Sequence, residues 1–521
     1  MEIAVLLVAV LALVGALVTI ARKIRVPYPV LLLVGGLVLG LMPGIPRIEL
    51  EPEIVFLVIL PPLLYVSAFF TRVRDFRANL KNISSLAIGL VVASTAVVAA
   101  LAMLIVPGIT PPLAVALGAI VSPPDAVAAT AIAQRLAVPR RLISILEGES
   151  LVNDATALTI YRAAIAAATT LVAVSALGSV GSFFLVAIGG ILIGLAAGWV
   201  MAQVRIRLTE TPVAITAALI TPYVAYLPAE ALGVSGVLAA VTAGIYVGRR
   251  SSRIMSSETR IAGRAVWEML IFLLNGVVFL AIGIEISTLS RELERSTLLQ
   301  LTGIGLLVSL ALIAVRALWI FVTNIPPVLT HGRAVRERVA ESLVLSWAGM
   351  RGVVSLAAAL ALPITVDGNA LPARDAMIVI TFTVILVTLV GQGLTLPLVI
   401  RAVGLGTDAD ERHEESHARQ ALIEEALARI TDLEKQWPDH LPLIEQLRTS
   451  YQHRAEHEEQ LHEAPGNEAE QELVEHRQIR REVIDAQRDA LLAMRDRGAI
   501  DDDVLRDIER ELDLEEIRME A

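Results

Sequence analysis

EGESLVNDATALTIYR (Glu147–Arg162) places Asn153 and Asp154 inside a segment that is otherwise long and apolar enough to cross a bilayer. A further acid, Asp125, directly follows two prolines in VSPPDAVAAT (Val121–Thr130), again at apparent membrane depth. An ionised carboxylate in hydrocarbon costs about 2.5–3.5 kcal/mol on insertion scales, so such groups are kept where they pair or carry something. Acids in two neighbouring spans therefore predict an ion or proton site.

The composition predicts an all-α polytopic membrane protein. The chain has 521 residues, of which 55% are hydrophobic, and apolar windows of about 18 residues or more recur from Ile3 to Leu405. The absence of cysteine excludes a disulfide framework and a thiolate metal site. Most of the acid behind the net charge of -10 follows Asp408. We expect no nucleic-acid partner and no cofactor.

About thirteen spans are predicted, near residues 3–20, 28–43, 53–70, 83–106, 113–134, 143–168, 180–203, 211–227, 232–248, 265–286, 298–322, 341–362 and 376–402. This count places clusters of basic residues in the loops on one side: Arg22, Lys23 and Arg25; Arg72, Arg74, Arg77 and Lys81; Arg135, Arg140 and Arg141; Arg205 and Arg207; Arg249, Arg250, Arg253, Arg260 and Arg264; Arg333, Arg336 and Arg338. The loops on the other side hold only Arg47, Arg291, Arg295 and Arg374. The positive-inside rule then predicts an external N-terminus without a cleaved signal, and a cytoplasmic C-terminus, in a plasma (inner) membrane.

A change of composition divides the chain into a transmembrane domain, residues 1–405, and an acidic tail, residues 406–521. The tail segments ARQALIEEALARI (Ala418–Ile430) and EVIDAQRDALLAM (Glu482–Met494) carry apolar residues at helical spacing. One interpretation is a cytoplasmic helical hairpin or short coiled coil. The alternative is a regulatory module that gates transport.

Span five is predicted to be interrupted at Ser122, Pro123 and Pro124, because two prolines remove two backbone donors and clash with the preceding turn. Ser122, followed by proline and Asp125, is typical of a helix N-terminus, so we expect an unwound stretch followed by a half-helix capped by Ser122. A plain proline kink, with Asp125 as a helix cap, is the simpler alternative.

Span twelve, SWAGMRGVVSLAAALALP (Ser346–Pro363), is predicted to be interrupted where Gly349 and Gly352 bracket Arg351. Spans five and twelve occupy equivalent positions in two six-span halves joined by span seven. Paired breaks of this kind predict an inverted-repeat transporter with its site at the crossing of the two spans. The simpler interpretation of Arg351 is a structural counter-ion.

Side-chain spacing on span six predicts an oxygen-rich cation site. Ser150 and Asp154 share one helix face at i,i+4 and would converge with Asp125 near the break, while Glu149 and Asn153 share the adjacent face. Hydroxyl, carboxylate and carbonyl oxygens suit an alkali cation. Glu149 would face Arg351 in a structural ion pair.

A buried Asp154 would bind either a proton or a metal cation. Competition of the two for one carboxylate is the simplest mechanism that exchanges them. Such exchange would be 1:1 and electroneutral, since Asn153 cannot ionise and offers no second titrating group. The simpler interpretations are helix packing for Asn153 and, for Arg316 in span eleven, a side chain that extends to the cytoplasmic edge.

These residues resemble the monovalent cation/proton antiporter superfamily, in its NhaP-like, electroneutral sodium/proton exchanger branch. Glu149-Ser150 with Asn153-Asp154 looks like the family signature G-E-S-x-x-N-D, and the AGMRG segment around Arg351 looks like its late-span arginine motif. The resemblance implies thirteen spans, a core domain that moves against a dimerisation domain, and a homodimer in the lipid bilayer. It also implies Asp154 as the cation/proton carboxylate, with a Glu149–Arg351 pair that holds the core.

Two departures from the family pattern bear on ion choice. The prolines precede Asp125 and Ala126 follows it, whereas the family pattern often has an acid before a proline. In LPPLLYVSAFF (Leu60–Phe70), Val66 stands where the family often carries an acid. The cargo is expected to be Na+, with K+ and Li+ also open. A K+(Na+)/H+ antiporter with a pH or volume role gated by the tail is the main alternative; a cation channel and an intramembrane enzyme are weaker ones.

Overall fold

The computed structural model describes residues 2–24, 26–42, 55–136, 138–169, 176–324, 333–366, 369–404, 409–463, 467–497 and 499–520. Arg25, Arg47 and the predicted domain boundary at 405–406 lie outside these ranges. Apart from turns and unwound segments, the described chain is helical, with a single antiparallel pair of two-residue strands, β1 (Thr365–Val366) and β2 (Asn369–Ala370), which confirms the all-α class. It divides into two compact units, Met1–Thr407 and Asp408–Ala521.

The first half of the transmembrane unit contains twelve of the described helices. They are α1 (Glu2–Ile24), α2 (Tyr28–Gly40), α3 (Leu60–Phe70, after a π-helical turn at Val55–Ile59), α4 (Val73–Ala78), α5 (Leu80–Ser84), α6 (Val91–Ile105, joined to α5 by a π-helical turn at Ser85–Leu90), α7 (Pro111–Val121), α8 (Ala126–Arg135), α9 (Arg140–Thr169), α10 (Ala176–Ile206), α11 (Thr211–Ala231) and α12 (Gly236–Gly248).

The second half continues with helices on both sides of the strand pair. They are α13 (Ser251–Ile254), α14 (Ser257–Glu292), α15 (Arg295–Asn324), α16 (Arg333–Trp347), α17 (Val353–Leu360), α18 (Arg374–Leu386) and α19 (Gly393–Val403, joined to α18 by a π-helical turn at Val387–Gln392). Within the described ranges, seven stretches are long and apolar enough to cross a bilayer: 80–105, 111–134, 184–206, 211–231, 257–285, 295–323 and 374–403. The chain is therefore a multi-pass membrane protein.

Helix packing sorts the transmembrane unit into two groups. A first group, which we call the panel, packs α1, α2, α3, α10, α11, α12 and α14 against one another, and its most extensive pairs are α2 on α14 and α3 and α10 on α12. A second group, the core bundle, contains α6 to α9 and α15 to α19. Small residues allow the close pairs, since a Cβ at Gly36 of α2 would meet the Leu280 backbone of α14.

The tail unit consists of paired helices. They are α20 (Ala409–Gln436), α21 (Leu441–Glu463), α22 (Asn467–Asp496) and α23 (Asp502–Glu520), and α20 packs on α21 while α22 packs on α23. Arg488 joins the second pair with contacts of 2.5 Å to Asp513 and 2.6 Å to Glu516. Hydrogen bonds from Arg488 and, with a smaller effect, from Arg481 lower the pKa of the Glu516 carboxyl.

Candidate ion-binding site

Asp125, rather than Ser122, caps the half-helix that follows the first break. The helix α7 ends at Val121 and α8 begins at Ala126, and the Asp125 carboxylate accepts a hydrogen bond of 2.9 Å from the Val127 N–H. Ser122 instead donates to the Gly118 carbonyl in the preceding helix at 2.5 Å. The predicted Ser122 cap is wrong for a local reason. A capping side chain accepts from the N–H of the residue two or three positions after it. For Ser122 these residues are Pro124, which has no N–H, and Asp125, whose N–H donates to the Met350 carbonyl.

The second break lies between α16, which ends at Trp347, and α17, which begins at Val353, and it contacts the first break directly. The Asp125 N–H donates to the Met350 carbonyl at 2.7 Å, so the two unwound segments share a backbone hydrogen bond. A Cβ at Gly352 would overlap the Asp125 carboxylate. The crossing therefore depends on glycine at position 352.

Arg351 pairs with backbone carbonyls. Its Nε donates to the Val121 carbonyl at 2.7 Å, and its Nη1 donates to the Gly349 carbonyl. Val121 is the last residue of α7, where carbonyls without helical partners carry partial negative charge that a cation stabilises. Arg351 thus holds the two broken spans together at the end of the first half-helix, opposite the end that Asp125 caps in the second.

Glu149 pairs with Arg316 of α15, so the predicted Glu149–Arg351 pair is wrong. Two hydrogen bonds of 2.5 and 2.8 Å join the carboxylate to the guanidinium, and each side chain is only 1% exposed. Arg316 also donates to the Leu345 carbonyl at 2.9 Å. Its predicted extension toward the cytoplasmic edge is likewise wrong, because two buried acceptors hold it inside the core bundle.

Asp154 is buried at 7% exposure beside the crossing, and it forms no hydrogen bond or ion pair with any described residue. Another acid, Asp125, interacts with it electrostatically. Asn153 donates to the Pro124 carbonyl at 2.8 Å, while its own amide oxygen is buried without a partner. The Ser150 hydroxyl accepts from the Ala126 N–H at 3.4 Å. The structure thus brings all four predicted ligand residues around one point.

A cavity of about 250 Å³ contains this point. Asp125, Ser150 and Asp154 line it, as does Glu147, which lies nearer the basic residues at the start of α9. Val66 of α3 lines the panel side, where it offers no oxygen. Asn275 of α14, which was not predicted from the sequence, lines the same cavity with a buried amide nitrogen and faces Tyr28 of α2. A single amide within the apolar run LIFLLNGVV (Leu270–Val278) was the available signal.

A larger cavity of about 620 Å³ lies farther along α9, between the core bundle and the panel, and most of its lining is apolar. Arg162 of α9 lies at this cavity and bridges to Glu230 of α11, with distances of 2.9 and 3.0 Å to the two carboxylate oxygens. Glu230 also accepts from the Gly236 N–H at 3.1 Å. One ion pair thus joins the two helix groups on the side away from the basic loops.

Comparison with known proteins identifies the family. The profile described as "Sodium/hydrogen exchanger, transmembrane" matches residues 8–402, which is nearly the whole transmembrane unit. The chain belongs to the sodium/hydrogen exchanger family. This assignment makes cation/proton antiport the activity class of the protein and confirms the resemblance to the NhaP-like branch.

Relatives of this exchanger extend the match beyond the transmembrane unit. An uncharacterized Na+/H+ exchanger of Mycobacterium tuberculosis is 33% identical over 98% of this chain and 96% of its own length. A protein of Bacillus pumilus named as a sodium, potassium, lithium and rubidium/H+ antiporter is 31% identical over 83% of this chain and 66% of its own length. The solved structure of the sodium proton antiporter MjNhaP1 of Methanocaldococcus jannaschii covers 78% of this chain and 100% of its own, with a TM-score of 0.62 at 22% identity, which supports the fold.

Proposed function

We propose that this exchanger moves Na+ out of the cytoplasm in return for an external proton, one for one, by alternating access around Asp154. The observation that carries the proposal is a buried carboxylate that lines a cavity and interacts electrostatically with a second acid, Asp125. A buried charge needs a partner. A bound Na+ or a bound proton would each satisfy Asp154, and the two would exclude one another.

The surrounding residues support a single exchangeable charge. Asp125 faces backbone N–H groups at the starts of α8 and α17, and the positive ends of helices stabilise an ionised carboxylate there. Glu149 is neutralised by Arg316, and Asn153 does not ionise. Only Asp154 then exchanges Na+ for H+, so the core bundle carries the same net charge whichever of the two cations is bound.

Hard oxygen ligands support an alkali cation as cargo. The proposed ligands are Asp154, Asp125, the Ser150 hydroxyl and the Asn153 amide oxygen, which has no other partner. Na+ is our first choice. A K+(Na+)/H+ antiporter, with a pH or volume role gated by the tail, is the second candidate, and the four cations in the name of the Bacillus pumilus relative favour it. A cation channel is the weakest alternative, because no ring of carbonyls or charges within the described part of the chain suggests a filter.

For the architecture we propose thirteen spans in two inverted six-helix repeats joined by α10. The core bundle would be the ion-translocating subdomain and the panel the dimerisation subdomain of a homodimer. The side with most basic loop residues would face the cytoplasm, which places the N-terminus outside and the tail inside a plasma (inner) membrane. Single cysteines are a direct test, since the chain has none; a thiol at Ser251 should react with an impermeant reagent only from the cytoplasmic side.

The decisive experiment is exchange in proteoliposomes with an imposed pH gradient. Addition of Na+ should collapse the gradient with wild-type protein, and Asp154→Asn should abolish the collapse. Glu210→Gln, which removes a carboxylate from an exposed position before α11 and outside the cavity, should retain exchange and serve as the control for loss of an acid. If Na+, Li+ and K+ all leave the gradient unchanged, or if Asp154→Asn behaves as wild type, the proposed function is refuted.

The same vesicles test the stoichiometry. At equilibrium, a 1:1 exchanger sets the Na+ ratio equal to the H+ ratio at any membrane potential. A second proton per cycle would couple one charge to the potential, which is worth about 2.3 kcal/mol at 100 mV, or about a 50-fold change in the Na+ ratio. A shift of that size on clamping the potential with valinomycin and K+ would contradict the electroneutral mechanism.

A further inference from the structure

A third cavity, of about 370 Å³, lies between the panel and the core bundle at the end that carries the basic loops. The end of α1, residues 26–29 and Phe272 of α14 form its panel wall, whereas α8 and the last turns of α19 form its core wall. Two exposed arginines face it, Arg22 at the end of α1 and Arg401 near the end of α19. We call this cavity the arginine pocket.

No acid among the described residues compensates the charge of the arginine pocket. Neither Arg22 nor Arg401 forms an ion pair or a hydrogen bond with any residue in the described ranges. The rest of the lining is mainly apolar, with Val18, Val26, Ile132 and other aliphatic side chains below the guanidinium groups. Two cationic groups above an apolar wall are complementary to an amphiphilic anion.

We propose that the arginine pocket binds the phosphate of an anionic phospholipid drawn from the cytoplasmic leaflet. Guanidinium groups bind phosphate oxygens through paired charge-assisted hydrogen bonds, and basic side chains at a membrane surface attract anionic lipids. The apolar wall would hold the glycerol and the first methylene groups. A small soluble anion would leave that wall wet, which is why a lipid fits better than free phosphate.

A lipid here would act on transport, an inference that rests on the proposed alternating access. One wall belongs to the panel and the other to the core bundle, so movement of the core bundle would separate Arg22 from Arg401 and change the affinity for the lipid. A ligand that prefers one conformation shifts the equilibrium toward it. Tyr28, which lines the pocket, packs on Phe272 with ring centres 6.2 Å apart and faces Asn275 of the ion cavity. The pocket therefore contacts the ion site through one side chain.

Binding is tested by native mass spectrometry of the full-length protein in detergent, titrated with phosphatidylglycerol or phosphatidylcholine. We expect a preference for phosphatidylglycerol that is about 30-fold weaker in the Arg22→Gln/Arg401→Gln double variant, from about 1 kcal/mol for each basic residue at an anionic surface. The control double variant Arg207→Gln/Arg249→Gln removes the same charge from exposed positions outside the pocket and should bind as wild type.

Equal phosphatidylglycerol affinity in wild type and in the pocket variant would overturn the proposal, as would competition by inorganic phosphate at the concentration of the lipid. In proteoliposomes, a rise in the phosphatidylglycerol fraction should change the exchange rate of wild type and of the control variant but leave the pocket variant unchanged. Identical lipid dependence in all three would refute the coupling. Intact lipid binding with no cation exchange in any lipid would instead refute the proposed function and leave the pocket assignment standing.

Discussion

The buried Glu149–Arg316 pair gives the most quantitative prediction. Each side chain is 1% exposed, so removal of one partner leaves an uncompensated charge in the core bundle. Such a change costs about 3–5 kcal/mol of the free energy of unfolding. We therefore expect Glu149→Leu and Arg316→Met each to destabilise the protein by that amount, far more than the about 1 kcal/mol typical of a single substitution.

The double variant Glu149→Leu/Arg316→Met should recover most of this loss. Replacing a buried ion pair by apolar side chains of similar volume is often neutral or stabilising. The hydrogen bond from Arg316 to the Leu345 carbonyl would still be missing, and a lost hydrogen bond costs about 1 kcal/mol. The expected net loss is therefore about 1 kcal/mol, with a strong coupling energy between the two sites.

Equilibrium unfolding in mixed detergent micelles, followed by the fluorescence of the five tryptophans, measures these free energies. The matched control is the cycle of Glu149→Leu with Arg351→Met, because Arg351 donates to carbonyls instead of to Glu149. The Arg351 cycle should show much weaker coupling. A larger coupling energy for Arg351 than for Arg316, or a double variant as unstable as the sum of the single ones, would refute the pairing that we describe.

Three further predictions concern the crossing, the Arg162–Glu230 ion pair and the tail. Gly352→Ala should lower the exchange rate about 100-fold, the effect of a displacement of about 1 Å in a reacting centre, whereas Gly391→Ala, which has nothing within 4 Å of its added methyl group, should exchange as wild type. Glu230→Gln should weaken the ion pair with Arg162 and raise the labelling of a thiol at Thr156→Cys, in the 620 Å³ cavity, by an impermeant reagent. The expected rise is about fivefold, because a partly exposed pair is worth at most about 1 kcal/mol. Unchanged labelling would mean that this ion pair does not restrain the cavity. The lowered pKa of Glu516 stabilises the pairing of α22 with α23 above the ordinary value of 4.5, and this stabilisation should be lost as the pH falls through the depressed pKa below 4.5. Hydrogen exchange in α23 should therefore rise at that acid pH in wild type, and Glu516→Gln should exchange fast at every pH.

Local chemistry explains which parts of the crossing could be predicted from the sequence. Proline removes N–H groups and glycine allows close approach wherever they occur, so Pro123-Pro124 and Gly349 with Gly352 indicate breaks without any knowledge of the neighbours. The Ser122 cap was predicted wrongly, because a capping hydroxyl needs a free N–H two or three residues later, and Pro124 and Asp125 do not provide one.

Non-local packing explains the rest. Two intramembrane arginines were available to Glu149, and the sequence contains no information on whether α15 or the α16–α17 break lies beside α9. Arg351 was the nearer candidate by motif, yet its guanidinium donates to the carbonyls of Val121, at the end of α7, and of Gly349 in the second break. Asn275 was missed for a related reason, since a lone amide in an apolar helix is equally consistent with helix packing until its neighbours are known.

The mostly apolar lining of the 620 Å³ cavity beside Arg162 has a consequence for the leakage of protons through the protein. Water enters a cavity readily only where polar groups can hold it, and apolar cavities stay dry. The polar groups that line this cavity, Arg162 and the hydroxyls of Thr156, Thr159 and Ser235, are separated by apolar side chains, so they would hold few waters and no continuous chain along which protons could hop toward Asp154 from the far side. Proton leakage would then be limited by the exclusion of water between the two helix groups, without side chains that close the gap sterically.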